Sequence, residues 1–166
     1  MSTSFPSAST EAADRVVRFA RSLGRTVATV ESCTAGALAC LLADAEGATD
    51  AVHGGFVVYT KVAKSAVVGV TPGLIESHSA VSREVALAMA RGGLERIPAD
   101  VVVAVTGVAG PEPDEDGNEV GLVHVAAVSR RGAERHVERR FGPKPKDEIV
   151  QQAMLVALTL LSELLA

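Results

Sequence analysis

The chain contains no tryptophan and only one tyrosine, and aromatic residues make up 3% of its 166 positions. A stacking platform for nucleobases is therefore not expected, and the core must be built from Ala, Val, Leu and Ile. Basic charge is also in deficit: 16 Lys and Arg stand against 20 Asp and Glu, a net charge of −4. No basic field draws in nucleic acid or an anionic membrane surface. Cysteine occurs twice, at Cys33 and Cys40, without a CxxC pair or a histidine cluster. That argues against a disulfide framework and a structural zinc, and fits reduced thiols in the cytoplasm. The first ten residues lack a basic segment followed by an apolar one, so no secretory leader is expected. No apolar run is read as spanning a membrane. Neither GxGxxG nor GxxxxGK[ST] occurs, which removes the sequence grounds for a dinucleotide or P-loop site.

What is present is 48% hydrophobic residues in short runs punctuated by Gly, Pro and Ser. The length suits one domain with a sizeable core. Residues 1–9 read as a disordered tail and 10–166 as a single domain. Ser9 or Thr10 is expected to cap a first helix that Gly24 ends. Strands are expected over 26–30, 55–59, 101–105, 122–128 and 135–141. Helices are expected over 37–43, around Lys61 and Lys64, from Pro72, over 83–97 and over 145–165. The run Val101–Val105 is apolar without alternation, as in a strand covered on both faces. Early alternation of helix and strand with a late hairpin predicts an α/β fold. The predicted architecture is a three-layer α/β/α sandwich around a mostly parallel sheet with an antiparallel edge hairpin.

Ligands of such sheets bind beyond the carboxyl ends of strands, where Ser32, Tyr59 and Thr106 fall. Ser32 follows a strand and precedes a helix, so it reads either as an N-cap or as a nucleophile. A nucleophile needs a base. Lys64 qualifies if burial and the neighbouring Lys61 depress its pKa, whereas on spacing alone both lysines suit a solvated helix face. The four histidines are weaker candidates, with His53 the one that could approach. Tyr59 reads as a proton relay or a satisfied strand-end residue. Thr106-Gly107 with Ala109-Gly110-Pro111 reads as a ligand-cradling turn or as plain loop chemistry. Asp114-Glu115-Asp116 lacks a metal-loop pattern and reads as a solvated loop.

Taken together, Glu31-Ser32-Cys33-Thr34-Ala35-Gly36, Gly54-Gly55-Phe56-Val57-Val58-Tyr59-Thr60, Ala63-Lys64, His78-Ser79-Ala80-Val81-Ser82, Val105 to Pro111 and Val120-Gly121 resemble the C-terminal domain of the CinA family. The chain looks like a stand-alone version of it. The resemblance implies a cytoplasmic nicotinamide-nucleotide amidohydrolase. Such an enzyme converts nicotinamide mononucleotide and water to nicotinic acid mononucleotide and ammonia, without metal or cofactor. It implies Ser32, Lys64 and Tyr59 as catalytic residues and assembly into a homo-oligomer. Substrate is then expected at Cys33, Thr34, Ala35, Gly36, Lys61, Thr106, Gly107, Ala109 and Gly110, with the 33–36 N–H groups as an oxyanion hole. Alternatives are an amidase for another carboxamide and a nucleotide-binding module without catalysis. The chain departs from the family where many members have Asn at the Lys61 position. It also departs where they have a glycine-rich stretch in place of Glu112–Asp116, a basic residue in place of Asn118, and arginines near 142–150. These departures bear on a phosphate group and leave Ser32 and Lys64 untouched.

Overall fold

The computed structural model describes residues 5–166. A five-stranded mixed sheet in the order β2-β1-β3-β4-β5 is flanked by helices on both faces. Its strands are β1 (Val27–Glu31), β2 (Val52–Val57), β3 (Val101–Gly107), β4 (Leu122–Ser129) and β5 (Glu134–Arg140). The helices are α1 (Ser7–Ser22), α2 (Ala37–Ala43), α3 (Lys61–Val68), α4 (Pro72–His78), α5 (Arg83–Arg96) and α6 (Lys146–Leu165). β1 runs parallel to both β2 and β3, while β3–β4 and β4–β5 are antiparallel. Parallel and antiparallel pairings are thus equal in number, and "mostly parallel" gives way to a mixed sheet. β4 returns directly through the 108–121 loop, with no crossover helix to make it parallel.

Side-chain alternation along the strands sorts the two cores. Val27, Val101, Val103 and Val105 face α1, α2 and α6. Ala28, Val30, Val102 and Ala104 face the layer formed by α3, α4 and α5. β3 is buried from Val101 to Thr106, which explains its unbroken apolar run. α5 lies unusually close to its neighbours. A Cβ at Gly92 would stand 1.8 Å from the Val68 carbonyl oxygen, and one at Gly93 2.5 Å from Val30 Cγ2. Two glycines inside a helix cost about 1 kcal/mol each, offset here by contact that no other residue permits.

Several expected boundaries shift. The first helix begins at Ser7, with Pro6 at its N-cap and neither Ser9 nor Thr10 capping it. Proline is tolerated there because its missing N–H has no helical partner to lose, and Phe5 packs onto the core beside it. Residues 7–9 are therefore helical. The tail expected over 1–9 otherwise lies largely outside the described residues. β2 starts at Val52, three residues early, because Gly54 and Gly55 pair with Ala28 and Thr29 despite their lack of apolar signal. α6, with 20 residues, is long and apolar enough to cross a membrane, contrary to the expectation that no such run exists. It packs against α1 and the sheet, and Ile149, Ala153, Ala157 and Leu161 on it are fully buried. Thr71 and Ser82 cap α4 and α5, accepting from Leu74 and Val85 N–H.

Candidate active site

The carboxyl ends of the three parallel strands open onto one cavity of about 360 Å³. The β1–α2 turn brings Ser32 and Cys33 to it. The β2–α3 connection brings Tyr59, Lys61 and Lys64, and the 106–115 segment brings Thr106, Gly107, Ala109 and Gly110. The three distant segments singled out in the sequence thus meet at one cavity.

Ser32 and Lys64 meet at its floor. Lys64 Nζ donates to Ser32 Oγ at 2.9 Å, to the Val58 carbonyl at 3.1 Å and to the Tyr59 carbonyl at 3.4 Å. Ser32 Oγ in turn lies 3.4 Å from the Tyr59 carbonyl as a donor. Thr60 caps α3 by accepting from Ala63 N–H, which starts the helix in the register that turns Lys64 inward. Lys64 is only 2% exposed, so the solvated helix face is excluded for it. Burial pushes its pKa from the usual 10.5 down to about 8, and the charge of Lys61 adds to the lowering. A Cys33 thiolate would oppose this, yet burial pushes that thiol up to about 12 and keeps it protonated. Among the described residues no carboxylate pairs with Lys64, and only neutral oxygens accept from its ammonium.

Ser32 does not cap α2. The N-cap is Gly36 at φ 91°, and the anion at this helix start is Glu31. Its carboxylate is 1% exposed and accepts from Gly36, Leu38 and Ala39 N–H at 3.0, 3.1 and 2.8 Å, and from Thr29 Oγ1 at 2.9 Å. This residue escaped the sequence reading. The available signal was a carboxylate on the inward-facing register of a buried strand, just before a helix. Gly55 belongs to the same arrangement, because a Cβ there would stand 2.1 Å from Thr29 Oγ1.

The expected oxyanion hole shrinks accordingly. Gly36 N–H is bound to Glu31, and Ala35 N–H donates to the Ser32 carbonyl at 3.0 Å. Cys33 and Thr34 N–H remain, uncommitted to any oxygen among the described residues. Of 33–36 only Cys33 lines the cavity; Thr34 is buried behind it with its hydroxyl unpartnered among the described residues. Tyr59 reaches Ser32 and Lys64 through its carbonyl, while its side chain is 60% exposed. Thr106 Oγ1 is tied to the Ala80 carbonyl at 2.8 Å, so it braces the wall.

At the rim Lys61, which lines the cavity, is ion-paired: its Nζ lies 2.7 Å from Asp116 and 2.9 Å from Glu115. The acidic run is exposed to solvent, as expected, and is also tied down by hydrogen bonds. Asp114 accepts from Asp116 and Asn118 N–H and from Asn118 Nδ2. Asp116 also accepts from Ala80 N–H, and Asn118 reaches Ser79 Oγ at 2.7 Å. Ser79 needs that support: at φ 74° and ψ 155° it occupies a region nearly reserved for glycine, which costs about 1–3 kcal/mol. No histidine lines the cavity. His53 starts β2, at the opposite end of the strand from the site, and so does not approach it. His78 ends α4 facing Glu84, and His124 and His136 stack across β4 and β5 with ring nitrogens 2.9 Å apart.

The sequence model of the CinA C-terminal domain matches residues 9–165. The chain belongs to the CinA family. A solved relative, competence/damage inducible protein CihA from Agrobacterium tumefaciens, is 40% identical, covers 98% of both chains and superposes with a TM-score of 0.94. The competence damage-inducible protein A (ComA) from Klebsiella pneumoniae is 34% identical over 93% of this chain and 95% of its own, with a TM-score of 0.88. Among curated sequences, a CinA-like protein of Mycolicibacterium paratuberculosis is 44% identical over 145 residues. That match takes in 86% of this chain and 33% of the relative, so the chain spans about one third of the CinA-like proteins it matches.

Proposed function

We propose that this CinA domain is an amide hydrolase that uses Ser32 as nucleophile and Lys64 as base, with nicotinamide mononucleotide as the substrate that the family resemblance implies. The observation that carries this reading is the 2.9 Å contact between Ser32 Oγ and a buried Lys64 Nζ whose pKa is lowered to about 8. A general base works best with a pKa near the operating pH, and an ordinary lysine is far from it.

Neutral Lys64 takes the Ser32 proton as Oγ forms a bond to the carboxamide carbon. The Cys33 N–H, at the cavity wall and uncommitted to any oxygen among the described residues, is the donor for the developing oxyanion and stabilises its charge at low reorganisation cost. The C–N bond then breaks and the protonated Lys64 returns its proton to the departing ammonia. Water adds to the acyl-Ser32 ester, again giving its proton to Lys64, and the carboxylic acid leaves as Oγ is reprotonated. A cytoplasmic location and assembly into a homo-oligomer belong to the same proposal. Sedimentation of the purified chain tests the assembly.

Release of ammonia and nicotinic acid mononucleotide from nicotinamide mononucleotide is the direct assay. Turnover should fall at least about 10³-fold in Ser32→Ala and in Lys64→Ala. Activity retained in both variants would remove the mechanism. The second reading, an amidase for another carboxamide, is favoured by one observation, the pairing of Lys61 with Glu115 and Asp116.

A further inference from the structure

We infer that His124 and His136 form a proton-operated catch on the outer strand of the sheet, which stays closed with one added proton and releases β5 on taking a second. The pair lies outside the cavity and does not depend on the amidase reading. His124 sits on β4, in register with Thr106 of β3 and Glu138 of β5, and His136 lies two residues before Glu138. His124 Nδ1 and His136 Nε2 are 2.9 Å apart, the rings stack with centroids 5.2 Å apart, and His124 is buried. A gap of that length holds one hydrogen between two nitrogens and has no room for two. One ring must therefore present a bare nitrogen to the N–H of the other for as long as the contact stands.

The Glu138 carboxylate decides which ring donates. It lies 3.9 Å from His124 Nε2 and favours hydrogen on that atom. His124 Nδ1 is then the bare acceptor and His136 Nε2 the donor. A first added proton goes to His136 Nδ1 and leaves the contact intact, because a charged ring donates as a neutral one does. The second must go to His124 Nδ1, where it meets the His136 N–H. The surroundings do little to hold that second charge. Glu134 and Glu138, on the same face of β5 as His136, are bound to Arg91 of α5 and to Arg140. Glu84 of α5 faces His78 of α4 at 3.7 Å. Burial lowers the pKa of both histidines; Arg140 adds to this at His124, His124 and Arg83 add to it at His136, and Glu138 and Glu84 oppose it. β5 gives way because it is the border strand, paired with β4 alone. Thr106 carries the release inward: paired residues share a face, and Thr106 lines the cavity and donates to the Ala80 carbonyl in its wall.

Fragment-resolved hydrogen exchange of the whole chain between about pH 8 and 5, expressed as protection factors, tests the catch. Opening that takes up one extra proton becomes about tenfold easier per pH unit below the ordinary histidine pKa of about 6.5. Protection across 134–140 should therefore fall about twentyfold between pH 7 and pH 5, with 78–82 following it. His136→Gln and His124→Gln each leave one ring beside an amide oxygen that can accept from it in either charge state. Either variant should hold its protection within about threefold over the same range. In the wild type, nitrogen spectra of the rings should show hydrogen on Nε2 of both at about pH 8, and His136 Nδ1 titrating while β5 is still protected. Protection independent of pH, the same fall in both variants, or two charged rings in the closed protein would overturn the catch. Unchanged exchange over 78–82 while β5 opens would overturn its link to the cavity.

Discussion

Lys64→Met should make the protein more stable at neutral pH while abolishing its activity. The chain holds the Lys64 ammonium in a site that is 2% exposed, and its pKa falls from 10.5 to about 8. At about 1.4 kcal/mol per pH unit, the charged lysine opposes folding by about 3 kcal/mol wherever it is protonated in both states. Methionine is close in volume and carries no charge, so this opposition disappears. Against it stand the Val58 and Tyr59 carbonyls, which lose a donor at about 1 kcal/mol each. The net gain is about 1–2 kcal/mol at pH 7, or roughly 2–8 °C in Tm for a domain of this size. The folded pKa lies below the unfolded one, so the unfolded chain binds more protons between pH 8 and 10.5. Wild-type stability must therefore rise with pH across that window, and the advantage of Lys64→Met must shrink and then reverse. Urea denaturation of both proteins at pH 7, 9 and 10.5 measures this, beside ammonia release from the amide substrate. In the wild type the rate should have a rising limb centred near pH 8 and stand about a hundredfold below its plateau at pH 6. A variant less stable than wild type at pH 7, or an advantage unchanged by pH, would refute the argument that burial, aided by Lys61, depresses this lysine.

Glu31→Ala orphans three helix N–H groups and the Thr29 hydroxyl, and should cost about 3–5 kcal/mol in urea denaturation. A loss under about 1 kcal/mol would mean that the helix start finds its acceptors elsewhere. Iodoacetamide at pH 8 should label the exposed Cys40 and spare Cys33, whose thiol is pushed up to about 12 by burial. Mass spectrometry showing a second label on native protein would contradict that. His124 and His136 have pKa values lowered by burial, with Arg140 and Arg83 adding to the lowering and Glu138 and Glu84 opposing it. Because the folded values lie below the unfolded one, stability should fall as the pH drops below about 6.5. Replacing both histidines with Phe should flatten that part of the profile, and an unchanged slope would sink the assignment.

Elements with strong periodicity or clear caps were legible in the sequence. β3 announced itself by its unbroken apolar run, and α5 and α6 were expected within a residue or so of where they lie. Ser32 and Lys64 were legible as a pair only through the family resemblance, because spacing alone favoured a cap and a solvated helix face. What decided otherwise is tertiary: Glu31 takes the helix start and the fold closes over Lys64. Glu31 itself went unread because a strand pattern reports which face a residue is on, not which N–H groups converge there. The Lys61 pairing was hidden for a different reason. One partner, Asp116, lies 55 residues away in a loop whose composition resembles any solvated acidic turn, with Glu115 beside it. The early start of β2 was masked by Gly54 and Gly55, which carry no hydrophobic signal; the close approach to Thr29 demands glycine at 55, and a φ of +107° demands it at 54.

The two borders of the sheet are protected very differently. Five of the seven β5 residues, Glu134, Arg135, Glu138, Arg139 and Arg140, carry charge, and such a ribbon resists templating a foreign strand. β2, Val-His-Gly-Gly-Phe-Val, has no Lys, Arg, Asp or Glu, and ends beside exposed Val57 and Tyr59. Its defence is brevity and the poor strand propensity of paired glycines. Neither glycine can be exchanged for a stronger strand former: a Cβ at Gly55 would strike Thr29, and Gly54 holds a φ of +107°. The weakly guarded border is therefore fixed by the same packing that seats Glu31 beneath the segment leading to Lys64.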